Sequence, residues 1–238
     1  MNIVDLLFII DVTGSMEHLI KEAKNKMKDI LNDLTTKYEI DLKVGLSFYR
    51  DHPTQDCSFV TSVFDLADVN AVMSTINKVT VGGGGDYPEA VLDGIIDGME
   101  AMDWREGSRR ISFLIGDAPP HGMCNEESCC LCGKTWGDAV QVAEDNEVVI
   151  YSIDLSKGPE TSRAFKTLSN FTGGILIEST DAMKAILETL SEVFEGMNLD
   201  SKVMEMLSKD YDQDQICEML NIDRGKLSES KERIAVSI

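Results

Sequence analysis

Asp11, Thr13 and Ser15 put three oxygen-bearing side chains at alternate positions, directly after an almost unbroken apolar run from Ile3 to Ile10. Hard cations such as Mg2+ take oxygen ligands in near-octahedral geometry, held by one or two carboxylates with neutral groups and water; one carboxylate and two hydroxyls meet that description. Two other segments bring acids into the same kind of context. Asp117 follows the strand-like run Arg109 to Gly116, and Asp86 and Glu89 follow four consecutive glycines, Gly82 to Gly85. Downstream stand His121, Cys124, Cys129 and Cys132, whose spacing is compatible with one tetrahedral Zn2+ site. Free thiols in a loop over 122–135 are the expectation for these cysteines, with the Zn2+ site as the alternative. Cys57 and Cys217 read as incidental.

The elements that must position these groups follow from hydrophobic periodicity. The run Ile3 to Ile10 reads as a strand buried on both faces, and its carboxyl end then faces the crevice where open α/β sheets bind ligands. Met16, Leu19, Ile20, Ala23, Met27, Ile30, Leu31 and Leu34 recur at helical spacing, so the first triplet lies on a strand-to-helix turn. Thr13 or Ser15 capping that helix, with Asp11 at its positive end, is the purely structural alternative. Strands are expected over 40–49, 58–64, 109–116, 148–153 and 174–177. Helices are expected from about 69 to 79, from Asp86 onward, and over about 136–145, 160–169 and 182–194. In the second of these, Asp86 reads as cap, Pro88 as first helical residue and Glu89 as first-turn acid. This β-α alternation is the signature of a doubly wound sheet. From about Gly196 strands cease and two or three short helices are expected, so the chain divides into a domain of residues 1–195 and a helical tail of 196–238.

The chain's 238 residues, 43% of them hydrophobic, suffice for one sizeable core. Forty-two acids against 22 bases leave a formal net charge of -20, which opposes general binding to nucleic acid or anionic membranes. No stretch approaches the roughly 18 apolar residues of a membrane span. The opening residues lack the basic region of a signal peptide, so a soluble, unprocessed, cytoplasmic chain is expected.

The three loops together resemble the von Willebrand factor A domain and its metal-ion-dependent adhesion site. The signature Asp-x-Ser-x-Ser of that family appears as Asp11-Val12-Thr13-Gly14-Ser15, with a conservative threonine. Where the family's second loop supplies a threonine, this sequence has Gly84-Gly85-Asp86-Tyr87-Pro88-Glu89, similar to the Asp-x-Pro-Glu form of integrin β subunits; either Asp86 or Glu89 is then the ligand. Asp117 matches the third loop. Tyr49-Arg50-Asp51-His52 and Gly116-Asp117-Ala118-Pro119-Pro120-His121-Gly122 resemble A domains that accompany intracellular α-kinases. The resemblance implies a mainly parallel, six-stranded sheet between helices. It also implies an Mg2+ site, with Mn2+ or Ca2+ as substitutes, whose incomplete shell accepts an Asp or Glu of a protein partner. No catalysis is implied for this chain, although a longer parent could carry a catalytic domain. The competing reading is an Mg2+-dependent phosphatase of the haloacid dehalogenase type with Asp11 as nucleophile. Against it, such enzymes place acids where Thr13 and Pro120 stand here.

Overall fold

The computed structural model describes residues 2–53, 55–56, 58–85, 87–123, 129–156 and 158–236. Its contacts divide the chain into two compact units, one of Ile3–Leu187 and one of the residues from Glu188 onward together with Asn2.

The first unit is built on one six-stranded, mostly parallel sheet. The strands are β1 (Asn2–Asp11), β2 (Ile40–Tyr49), β3 (Thr61–Ala67), β4 (Arg109–Gly116), β5 (Val148–Asp154) and β6 (Leu176–Glu178), in the order β3-β2-β1-β4-β5-β6. Strands β1, β4, β5 and β6 pair in parallel, and β3 closes one edge antiparallel to β2. Strand β1 is central and buried from Val4 to Asp11, which is why its sequence shows an apolar run instead of alternation. Asp5 is tolerated there because Arg105 Nε donates to its Oδ1 at 2.7 Å and Ser108 Oγ to its Oδ2 at 2.8 Å. The chain leaves β1 toward β2 on one side and returns to β4 on the other, so the strand order reverses between β1 and β4. In doubly wound folds the ligand crevice opens at that point. The β1–β4 register pairs Ile10 with Ile115, which brings the following residues, Asp11 and Gly116, side by side.

Helices α1 (Glu17–Tyr38), α2 (Val69–Lys78), α3 (Val91–Glu100), α4 (Trp136–Asp145) and α5 (Pro159–Phe171) flank the sheet. Helix α1 buries Leu19, Ile20, Ala23, Met27, Leu31 and Leu34, the stripe expected from its sequence. Helix α3 lies very close to β2: a Cβ on Gly94 would come within 2.7 Å of Tyr49 Cδ1, so a glycine is needed there. Helix α4 starts with a reciprocal capping box between Thr135 and Asp138.

Several boundaries differ from the sequence reading. Helix α3 begins at Val91, not near Pro88, and no side chain caps it. The cause is tertiary: Glu89 N donates to Pro119 O at 3.0 Å and Ala90 N to Arg50 O at 2.9 Å, so these residues belong to the rim. Strand β3 sits three residues later than expected, in register with β2 from Tyr49 opposite Thr61. Helix α6 (Ala182–Ser208) runs on past Gly196, since one glycine inside a helix costs only about 1 kcal/mol.

In the second unit, α7 (Gln213–Leu220) starts with a capping box between Asp212 and Gln215 and ends on Asn221 in the left-handed region, φ 52°. Val203, Met206, Ile216 and Leu227 form its core, the last of these on α8 (Arg224–Val236). Asp200 accepts from Ser230 Oγ at 2.6 Å and pairs with Arg233 at 2.8 Å. Among the described residues no helix is long and apolar enough to cross a membrane.

Candidate metal centre

Backbone bonds lace the three sequence-flagged loops into one rim. Val12 N donates to Tyr49 O at 3.0 Å and Gly82 N to Val12 O at 3.1 Å, tying the loop after β1 to the end of β2 and to the glycine loop. His121 N donates to Glu89 O at 3.1 Å, and Glu89 bridges Pro120, which ties the segment before α3 to the loop after β4.

On this rim the side chains of Asp11, Thr13, Ser15 and Asp117 form a continuous chain. Thr13 Oγ1 donates to Asp11 Oδ1 at 2.6 Å, Thr13 Oγ1 lies 3.2 Å from Ser15 Oγ, and Ser15 Oγ donates to Asp117 Oδ1 at 3.0 Å. An octahedron of oxygens about 2.1 Å from Mg2+ has edges of about 3.0 Å; the Thr13–Ser15 and Ser15–Asp117 separations are compatible with that spacing, and the Thr13–Asp11 contact is a short hydrogen bond. The structural alternative for the triplet is not met. Neither the short 3-10 turn Gly14–Met16 nor α1 receives a side-chain cap, because Thr13 and Ser15 turn toward the acids.

Electrostatics point the same way. Asp11 is fully buried, and its Oδ2 has no hydrogen-bond partner among the described residues. Burial pushes its carboxyl up to about 7, against the pull of the bonds from Thr13, and the charges of Asp117 and Asp51 add to the rise. Tyr49, fully buried beneath, is held well above its usual value by burial and then by Asp11, Glu89 and Asp117 together. Three carboxylates therefore act on one phenol, each disfavouring a further negative charge there. A dication inverts that balance.

Glu89 is buried, and a Cβ on Gly84 would lie 2.9 Å from its Oε1 and 3.3 Å from Thr13 Cβ. The Glu89 carboxylate thus sits beside Thr13 across a glycine at φ +77° that leaves room for both. Asp86 lies outside the described residues. Ser15 is exposed, which leaves the outer side of the rim open to solvent.

The residues picked out for Zn2+ are not gathered as the spacing suggested. Cys124 lies outside the described residues, Cys129 is exposed, and His121 Nε2 is 2.9 Å from Asp51 Oδ1. Cys132 instead joins His52, Asp93 and Cys130, and the ligand atoms of these four residues lie within 4.8 Å of one another. Cys130, buried, donates to Asp93 Oδ2 at 3.2 Å, and Cys132 donates to Asp93 Oδ1 at 3.1 Å. Burial pushes both thiols up, with Asp93 adding to the rise. Burial works against ionisation of Asp93 as well, yet bonds from Lys134, Cys132 and Cys130 hold its carboxyl below the usual range. Sequence spacing missed His52 and Asp93, because they reach the cysteines only through the packing of β2, α3 and the loop after β4.

An open, mostly parallel sheet flanked by helices, with acids gathered where its strand order reverses, defines a Rossmann-like domain. Residues 5–181 match the family model for the von Willebrand factor A domain, and the chain belongs to that family. Alpha-protein kinase vwkA of Dictyostelium discoideum is 36% identical over 120 residues, which is 50% of this chain and 19% of the kinase. The putative ariadne-like RING finger protein R811 of Acanthamoeba polyphaga mimivirus is 23% identical over 214 residues, 84% of this chain and 21% of that protein. The chain thus spans about a fifth of the length of these curated relatives. Among solved structures, the pilus adhesin SpaC of Lactobacillus rhamnosus GG in its open conformation superposes with a TM-score of 0.59 at 14% identity, covering 82% of this chain and 30% of the adhesin. Proximal thread matrix protein 1 of the mussel byssus, with a zinc-occupied metal-ion-dependent adhesion site, superposes with a TM-score of 0.55 at 17% identity, covering 81% of this chain and 46% of that one. At these identities the superpositions establish a common fold.

Proposed function

We propose that the rim formed by Asp11, Thr13, Ser15, Glu89 and Asp117 binds a divalent cation, Mg2+ foremost, and that the bound cation recruits an Asp or Glu side chain of a protein partner. The observation that carries this reading is the buried, unpartnered Oδ2 of Asp11 among other carboxylates. An uncompensated buried carboxylate is costly, and a cation removes the cost. Thr13, Ser15 and Asp117 would hold the ion, with Glu89 or Asp86 supplying a further acid, and the exposed side at Ser15 is where a partner's carboxylate would enter. The ion supplies a local positive charge on a chain of net charge -20, which is what lets an acidic protein bind an acid.

The module is a binding domain without catalysis of its own, and the helical unit from Glu188 onward is a second module. A cytoplasmic setting agrees with cysteines outside any disulfide at Cys129, Cys130, Cys132 and Cys217. The net charge argues against nucleic acid as the ligand. Thermal unfolding of the wild type and of Asp117→Ala, in chelator and in millimolar Mg2+, tests the reading. A ligand that binds only the folded state at a hundredfold excess over its dissociation constant stabilises it by about 2.7 kcal/mol. The wild type should gain on that order and the variant nothing; equal responses would sink the rim as the binding site.

A further inference from the structure

We propose that His52, Asp93, Cys130 and Cys132 form a second metal site, distinct from the rim, that takes Zn2+ as a structural ion. The four side chains come from three separate segments: the turn after β2, the first turn of α3, and the loop between β4 and α4. Their ligand atoms nevertheless converge. His52 Nε2 is 3.1 Å from Asp93 Oδ2 and 2.9 Å from Cys130 Sγ, Cys130 Sγ is 3.2 Å from Asp93 Oδ2, and Cys132 Sγ is 3.1 Å from Asp93 Oδ1. A tetrahedral Zn2+ with sulfur at about 2.3 Å and nitrogen or oxygen at about 2.0 to 2.1 Å has ligand-to-ligand edges of about 3.3 to 3.8 Å. The short edges at His52 and Cys130 widen by about 0.3 to 0.6 Å to admit the ion, and all ligand atoms already lie within 4.8 Å of one another.

Donor chemistry selects the metal. One imidazole, one carboxylate and two sulfurs suit Zn2+ and exclude Mg2+, which wants oxygens in an octahedron. Three of the four residues, His52, Asp93 and Cys130, are buried, and four protein ligands leave no open position, the mark of a structural site. Charge also balances. Two thiolates and one carboxylate against Zn2+ leave one negative charge, and Lys134 Nζ, 3.0 Å from Asp93 Oδ1, supplies the compensating positive one. Asp97 holds that lysine from the other side, an outer-shell contact of the kind that orients metal ligands. Binding forms two Zn–S bonds, one Zn–N bond and one Zn–O bond, and the two thiol protons leave to solvent; no oxidant or reductant is involved.

The ion would pin the cysteine loop to α3 and to the turn carrying Asp51 and His52. Asp51 Oδ1 also accepts from His52 N at 2.7 Å and faces His121 Nε2, so the cluster braces residues directly behind the rim.

The test is metal analysis of the 238-residue chain purified without chelator, together with the absorption spectrum of the Co2+-substituted protein. One zinc per chain is expected in the wild type, in Cys129→Ser and in Asp11→Asn, with none in the Cys130→Ser/Cys132→Ser double variant. The cobalt protein should show tetrahedral ligand-field bands and a thiolate-to-cobalt charge-transfer band. Zinc that vanishes in Asp11→Asn but persists in the double variant would place the ion at the rim and overturn the proposal. So would a wild type without zinc, or a cobalt spectrum lacking the thiolate band. The spectrum is read on the wild type, so the test holds even if the double variant does not fold. An Mg2+ response at the rim can fail while this result stands, and the reverse.

Discussion

Replacing Asp11 by Asn separates a carboxylate kept for a cation from one kept for structure. Asp11 Oδ1 accepts from Thr13 N at 2.7 Å and from Thr13 Oγ1 at 2.6 Å, and an asparagine oxygen can accept both. What the substitution removes is the charge. In the metal-free protein burial raises the Asp11 carboxyl from 3.8 to about 7, so the unfolded chain releases this proton at lower pH than the folded one. The stability tied to the protonated form is therefore complete below about pH 4 and is lost as pH rises through about 7. At 1.36 kcal/mol per pH unit, the gap corresponds to about 4 kcal/mol of destabilisation by pH 8, which Asp11→Asn escapes. For a chain of this length that is about 10 °C in the unfolding midpoint. The assay is urea unfolding of both proteins in chelator from pH 4.5 to pH 8. The difference between them should grow with pH in favour of the variant, and any pH-independent cost of the new amide cancels from that trend. Adding Mg2+ at pH 8 should restore the wild type and leave the variant unmoved. A difference that stays flat across this range would refute the claim that the ionised carboxylate is held at a cost.

Ser15→Ala removes an exposed hydroxyl, so metal-free stability should change by no more than about 0.5 kcal/mol while the Mg2+-induced rise in midpoint falls, read by the same melts. Gly84→Ala forces a side chain into the left-handed region at φ +77° and against Glu89 Oε1; it should cost about 1 to 2 kcal/mol by denaturant unfolding and weaken Mg2+ binding measured by calorimetry. A generic aryl phosphate incubated with the chain and Mg2+ should show no turnover above that of Asp11→Asn, whereas turnover abolished by that substitution would favour the phosphatase reading.

The parts of the site that were legible in the sequence are those whose geometry is local. Asp11, Thr13 and Ser15 follow one apolar strand without interruption, so the strand fixes where they emerge, and the end of β4 does the same for Asp117. Glu89 was legible as a candidate rim acid, through the likeness of its loop to the Asp-x-Pro-Glu form, but it was read inside the first turn of α3, which the structure starts only at Val91. Its neighbours Asp86 and Pro88 look like the start of a helix, and only the long-range bonds to Pro119, Arg50 and His121 show why α3 waits until Val91. The free thiols expected of the cysteine loop stand at Cys129, Cys130 and Cys132, but the groups that gather around two of them were not legible. Linear spacing pairs Cys132 with His121, whereas His52 and Asp93 stand 78 and 37 residues from Cys130 and meet it only after the sheet and α3 have packed. Helix length was misjudged where a weak local signal, Gly196, met a longer run of helix-forming residues.

The most direct test of the rim is a crystal of the chain grown with Mn2+, which takes the same oxygen ligands as Mg2+ and can be located by its anomalous scattering. A single strong peak within coordination distance of Thr13 Oγ1 and Ser15 Oγ, beside the carboxylates of Asp11 and Asp117, is the predicted result. An ordered rim with no peak there, or Mn2+ bound elsewhere on the chain, would contradict the assignment of these residues to a cation.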